Sequence, residues 1–196
     1  MRALGLTLLL TLLAGCSTFK ADQIQAPASG SWDQYQQQAL ALQNWTLDSK
    51  VGIRTPGDSQ SARMQWQQQT PAYRISISGP LGQGGALIEG GPGGVSIDIA
   101  GEGRYASDSP ETLLQSLLGW SFPVEQVTYW IRGLPAPGLT YTPIFRENRL
   151  ENLEQSGWLI HYSAYSTDSG YVLPQRVTLR REDLTITVII KEWIAS

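Results

Sequence analysis

The chain reads as a mainly β protein of the α+β kind. We expect an incomplete, strongly twisted antiparallel β-barrel of about 11 strands, with three helices covering its concave side. Three observations predict this. Apolar residues alternate with a period of two through most of the chain, from Trp45 onward. Turn residues punctuate those runs at short intervals, without the strand–helix–strand alternation of a parallel sheet. Three segments instead carry a helical period with recognisable start signals. So many consecutive strands in 196 residues must curl to manage their edges, which leaves a concave apolar interior.

Taken in order, Ser31 is placed to cap a helix, with Gln34 completing a capping-box pattern. Trp32, Tyr35, Ala39 and Leu42 follow at helical spacing on one stripe. The period then changes to two. Trp45, Leu47, Val51 and Ile53 alternate, interrupted by the small Ser49; Ala62, Met64 and Trp66 come next, then Tyr73, Ile75 and Ile77. "GALIEG" and "VSIDIA" continue the strands on either side of the turn "GGPGG" at 90–94.

Residues 109–133 break the β pattern. Ser109 is a cap, Pro110 suits the first helical position, and Glu111 suits the first turn. Leu113, Leu114, Leu117 and Leu118 follow, with Gly119 as the stop. A further helix is predicted to start at Ser121 or Phe122, to contain Pro123, and to end at Gly133. From Leu139 the strands resume as "LTYTPIF", "WLIHY", "QRVTLRR" and "LTITVIIKEWI". The acidic pairs Glu151/Glu154 and Glu182/Asp183 read as solvated faces and turns.

Size and composition fit one globular domain: 41% of residues are hydrophobic and 16% charged. A net charge of −3 gives no footing for nucleic-acid binding, which needs a basic face to neutralise phosphates, so no nucleic-acid partner is expected. Seven Trp and eight Tyr against three Phe favour rings with a polar edge, which suit strands and water–lipid boundaries.

The N-terminus has the layout of a lipoprotein signal. Arg2 precedes an apolar run from Leu4 to Leu13, too short to span a bilayer, and Leu13-Ala14-Gly15-Cys16 matches the bacterial lipobox. Residues 1–15 are therefore expected to be a signal peptide, with Cys16 carrying N-acyl diacylglycerol. As the chain's one cysteine, Cys16 leaves no internal disulfide to form. Ser17 follows it rather than the Asp that retains lipoproteins at the inner membrane, so the outer membrane is the expected destination, on its periplasmic face. Residues 16–30 read as a lipidated flexible tether reaching roughly 20 Å, and 31–196 as a single domain, expected to be monomeric.

Catalysis is poorly supplied. The one histidine, His161, sits in a strand, no G-x-S-x-G elbow occurs, and no metal-ligand spacing is present, so neither an enzyme nor a metal or other cofactor is expected. The glycine-rich "SGPLGQGG" at 78–85 is followed by a strand rather than a helix, which argues against a phosphate loop. Gly79, Pro80, Leu81 and Gly82 fit a β-turn with Leu81 at its tip. Candidates to line an apolar cavity are Met64, Trp66, Ile75, Ile77, Val177, Leu179, Ile186 and Val188 from strands, with Leu113, Leu117 and Trp130 from helices. The pattern alone does not separate an open interior from a filled one.

Three stretches, "WQQQTPAYRISISGPLG" (66–82), "YWIRGLP" (129–135) and "LPQRVTLRREDLTITVIIKEWI" (173–194), in this order and with the lipobox, resemble the LolB family of outer-membrane lipoprotein receptors. The resemblance covers essentially the whole chain. It implies a half-barrel that accepts other lipoproteins, by their acyl chains, from the periplasmic carrier LolA. It further implies that the receptor inserts them into the inner leaflet of the outer membrane. The resemblance also implies a protruding loop with an apolar tip that serves that insertion, on which Leu81 falls; the sequence of the loop here is unusually rich in glycine. A lipid-binding or phospholipid-shuttling envelope lipoprotein, or a structural one, are the alternatives that the residues themselves leave open.

Overall fold

The computed structural model describes residues 30–79, 84–118 and 122–195; Cys16, Pro80, Leu81 and Gly82 lie outside the described residues. Helix α1 (Trp32–Ala41) opens the domain, and strands β1 (Asn44–Thr55), β2 (Asp58–Gln69), β3 (Ala72–Ser78), β4 (Gly85–Gly91), β5 (Gly94–Ile99) and β6 (Gly103–Ser107) follow as a meander. Helices α2 (Pro110–Leu118) and α3 (Val124–Trp130) come next, then β7 (Tyr141–Arg146), β8 (Arg149–Gln155), β9 (Trp158–Ser166), β10 (Leu173–Arg181) and β11 (Leu184–Ala195). All pair antiparallel in one 11-stranded sheet of order β6-β5-β4-β3-β2-β1-β11-β10-β9-β8-β7.

That order explains where the helices lie. The first and last strands meet in the middle of the sheet, while β6 and β7, consecutive along the chain, stand at its two edges. The link between them must cross from one edge to the other, and burying Leu113, Leu114 and Leu117 of α2 and the apolar face of α3 directs it over the concave side. The result is a half-barrel with its interior against α2 and α3.

Local chemistry sets the elements. At α1, the Ser31 hydroxyl accepts from the Gln34 backbone N–H while the Gln34 side chain accepts from the Ser31 N–H, the reciprocal box expected from sequence. At α2, the Thr112 N–H donates to the Ser109 hydroxyl at 3.3 Å. Pro123 stands at the cap of α3 rather than inside it, where its missing N–H costs nothing.

Ser49 does not interrupt the inward row of β1. It is fully buried, and its hydroxyl donates to the Met64 carbonyl at 3.1 Å. A bulge sits beside it, where Asp48 faces Glu192 but Ser49 faces Ile190, leaving Lys191 as the extra residue.

Two strands were not announced by alternation. β6 is short and exposed along most of its length. In β8, Ile144 pairs with Asn152 but Phe145 pairs with Leu150, so Glu151 is an inserted residue. The bulge lets Leu150 and Leu153, three apart, both point inward and be buried to 1% exposure. Glu151 and Glu154 therefore belong to a strand rather than a turn, and Glu151 pairs with Arg146.

Between β3 and β4, Gly90 faces Tyr73 across the ladder, and a Cβ there would collide with the phenol ring. Gly90→Ala should therefore destabilise the domain by about 1–3 kcal/mol through overpacking. Urea unfolding checks this, and Tyr73→Ala/Gly90→Ala should cost less than the two single substitutions summed.

Candidate functional site: an apolar cavity under two helices

The inward rows of β1–β5 and β11 are apolar but do not meet the helices everywhere. Between the strands and α2–α3 lies a cavity of about 950 Å³. That is the upper end of the roughly 300–1,000 Å³ of small-molecule sites. Its walls are Val51 and Ile53 of β1, Ala62, Met64 and Trp66 of β2, Ile75 and Ile77 of β3, Ala86 and Ile88 of β4, Ile97 and Ile99 of β5, and Ile186 and Val188 of β11. Leu114 and Leu117 of α2, Phe122 before α3, Val124 and Val127 of α3, and Ile131 just beyond it form the roof.

Polar lining is confined to one end. Thr55, Asp58, Ser59, Gln60 and Ser61, at the β1–β2 turn, and Gly79, Gly84 and Gly85, at the base of the β3–β4 loop, form a rim. Asp58 is the one ionisable side chain in that lining, and its carboxylate is engaged by the Ser59 N–H and the Gln60 amide. An interior of hydrocarbon with a polar lip suits an apolar chain whose polar head stays outside.

Of the residues picked from sequence, Met64, Trp66, Ile75, Ile77, Leu117, Ile186 and Val188 line this space, and Gly79 sits on its rim. Val177, Leu179, Trp130 and Leu113 do not. Val177, Leu179 and Trp130 are completely buried in packed core, and Leu113 is 7% exposed. For these four the cavity expectation is corrected. Strand order is the reason for Val177 and Leu179: β10 lies beyond β11, on the side that is filled.

That filled half is organised by polar groups. The Gln155 carboxamide accepts from the Trp130 indole N–H at 2.7 Å and from the Ala136 N–H at 2.8 Å, and it donates to the Ala136 carbonyl at 2.9 Å. Tyr162 donates to the Trp130 carbonyl at 2.9 Å. Arg132, only 5% exposed, donates from Nη1 to the carbonyls of Ala39 (2.9 Å) and Leu42 (2.7 Å), and from Nε to that of Thr128 (3.0 Å). It ties the C-terminal end of α1, where carbonyls lack intrahelical partners, to the end of α3. Tyr35 closes the clamp by donating to the Arg132 carbonyl at 2.7 Å.

Burial shapes the ionisation here. The phenols of Tyr162 and Tyr165 are held well above their ordinary range, chiefly by desolvation. Tyr73 is pushed up to about 12, by burial first and by the nearby Glu125 and Glu111 carboxylates second. Sequence reasoning missed Gln155 entirely, since a glutamine in a polar strand carries no signal. Arg132 did carry one: it is a lone charge in the apolar run 129–135.

His161 faces away from the cavity, on the outer side of β9, with Nδ1 2.9 Å from the Asn152 side-chain oxygen. Among the described residues no three His, Cys, Asp or Glu side chains group to hold a metal ion. Among them, too, no helix is long and apolar enough to cross a membrane.

Comparison with known proteins places this architecture. A LolA superfamily protein from Nitrosomonas europaea shares the fold, with a TM-score of 0.53 at 10% identity over 86% of this chain and 94% of that one. The outer-membrane lipoprotein LolB of Pseudomonas fluorescens is 44% identical over 188 residues, which cover 94% of this chain and 92% of the relative. LolB of Pseudomonas aeruginosa strain PAO1 is also 44% identical, over 94% of this chain and 91% of its own. The family model for outer membrane lipoprotein LolB matches residues 43–193, from the residue before β1 to near the end of β11. With its half-barrel, its roofed apolar cavity and this similarity along nearly its whole length, the chain belongs to the LolB family of outer-membrane lipoproteins.

Proposed function

We propose that the protein is a lipoprotein acceptor. It takes the acyl chains of other lipoproteins from the carrier LolA into the cavity, and inserts them into the inner leaflet of the outer membrane. The observation that carries this reading is the cavity: about 950 Å³ of hydrocarbon-lined space with one ionisable side chain, at the rim. Three acyl chains of about 16 carbons would expose about 38 kcal/mol of hydrocarbon to water, at about 0.8 kcal/mol per CH₂. Such a client does not diffuse free; it passes directly from one apolar surface to another. In this reading residues 1–15 are removed as a signal peptide, Cys16 carries the lipid anchor, 16–30 form the tether, and 31–196 are the working, monomeric domain. No bond of the client is made or broken, so the role is not enzymatic.

A photo-crosslinking amino acid at Ile75 or Ile88, both cavity-lining, should trap the acyl chains of a client delivered by the carrier. The same group at Leu179, in the filled half, should not. Recovery of phospholipid but no client at Ile75 would replace this reading with a phospholipid shuttle. Labelling at neither position, with the fold intact, would refute both.

Leu81 is the proposed membrane-touching residue, on a loop whose base, Gly79 and Gly84, stands on the cavity rim. Leu81→Glu should leave uptake unchanged and reduce delivery to liposomes at least tenfold, because a carboxylate resists entry into hydrocarbon. Lost uptake instead would assign the loop to the cavity.

A further inference from the structure

We propose that the outer face of the central strands is a docking surface for an anionic phospholipid leaflet, on which the domain lies side-on. The inference rests on the acceptor reading above and adds to it a surface and an orientation.

The first observation is charge. Residues of β2, β1, β11 and β10 that point away from the cavity include Lys50, Arg54, Arg63, Arg176 and Arg180, all exposed. The register makes them neighbours. Lys50 faces Arg63 on one side and Ile189 on the other, and Ile189 faces Arg176. One rung nearer the rim but one, Arg54 and Arg180 both face Thr185. Among the described residues none of these five side chains is in an ion pair; the pairs formed engage Arg74, Arg104, Arg146 and Arg149. The outward carboxylates of these strands, Asp48 and Glu192, face each other farther from the rim, and Glu182 and Asp183 occupy the β10–β11 turn. In a chain of net charge −3, five unpaired cations on one half of one face are a segregated field.

The second observation is where the chain enters the domain. By the antiparallel order, the β1–β2, β3–β4 and β10–β11 turns share the rim end, whereas the β7–β8 turn is at the opposite end. Trp32 packs on Phe145, next to that β7–β8 turn, with ring centroids 4.9 Å apart. The tether thus joins the domain at the end away from the cavity mouth. Twelve-residue strands such as β1 and β2 span about 40 Å at 3.3 Å per residue. The stretch from Cys16 to Gly30 reaches roughly 20 Å as a coil and about 50 Å only when fully drawn out. An upright domain with its mouth on the leaflet would need the tether near that limit. A domain lying on its basic face brings mouth, loop and tether to the same leaflet without stretching. Anionic phospholipid head groups are the occupant that fits the charge, at a range set by a Debye length of about 8–10 Å.

The full-length lipidated protein in vesicles tests this. Cys16 is consumed by the anchor, so Gln65→Cys, exposed on the outward row of β2 and away from the cavity rim, gives a single label site on this face, with Asp168→Cys as a site off it. In phosphatidylethanolamine vesicles with one-fifth phosphatidylglycerol, a head-group quencher should quench the label at 65 but not at 168. In phosphatidylethanolamine alone, or in 0.5 M salt, quenching at 65 should fall away. Arg54→Gln/Arg180→Gln should weaken the side-on state about thirtyfold. Quenching at 65 that ignores phosphatidylglycerol and these substitutions would overturn the proposal. So would unchanged quenching with lost hand-over from the carrier, which would give the face to a protein instead. Crosslinking inside the cavity is read separately, so a failed docking surface and a failed acceptor role are told apart.

Discussion

Ala62→Phe/Ala86→Phe should abolish acyl-chain uptake while leaving the domain folded and no less stable than the native chain. Both alanines are part-buried on the cavity wall, in β2 and β4 on either side of β3. Enlarging a residue in packed core costs typically 1–3 kcal/mol, because neighbours must move. Enlarging one that faces empty space adds dispersion contacts and removes a void instead. The two outcomes separate an open interior from a filled one. Uptake should fall more than tenfold in a carrier-to-acceptor transfer assay, with a urea midpoint equal to or above that of the native protein. An unfolding free energy lower by several kcal/mol would mean that the space closes in solution. The same exchange at a filled position, Val177→Phe, is the control, expected to destabilise strongly because Val177 is wholly buried.

Arg132→Ala should cost about 3 kcal/mol and lower the melting temperature by roughly 6–12 °C. The guanidinium satisfies three carbonyls, of Ala39, Leu42 and Thr128, and has no carboxylate partner among the described residues. Its removal strands buried acceptors and loosens α1 from the end of α3. Its pKa is lowered by burial, with Tyr129 and Tyr35 opposing that shift, yet arginine keeps its charge in proteins, so the effect should not vary between pH 5 and 9. Arg132→Lys should recover only part of the loss, since one ammonium does not reproduce the planar fork. Hydrogen exchange should place the damage in α1 and leave β1–β5 protected. Uniform loss of protection would mean that the clamp holds the whole sheet rather than one end.

How much of this was legible in the sequence varies with the kind of signal. Capping at Ser31 and Ser109 and the alternation of β1–β3 depend on neighbours a few residues away, and the structure matches them. β8 was hidden because its bulge at Glu151 shifts the inward residues from a spacing of two to three, which mimics a turn with acidic ends. The barrel's division into a hollow and a solid half was not legible. Ile75 and Leu179 stand in the same alternating pattern, and only strand order puts one under α2–α3 and the other in packed core. The segment 129–135 points the same way. It supports the family likeness, yet Trp130 and Arg132 serve the solid half, by hydrogen bonds to Gln155 and to the end of α1. A family signature can thus mark the scaffold that keeps a cavity open rather than the wall that touches cargo.

The seam between β6 and β7 has a mechanical consequence. In a closed barrel, strand number and stagger fix the bore, and widening it means breaking ladder hydrogen bonds. Here the two edges are never joined, and the hollow half is spanned by two short helices held over the sheet by side-chain packing. Its width is therefore a soft coordinate. In the proposed acceptor role, an outward shift of the helices over a bulky load would leave every strand pair intact, and such compliance would suit cargoes that differ in everything except their acyl chains.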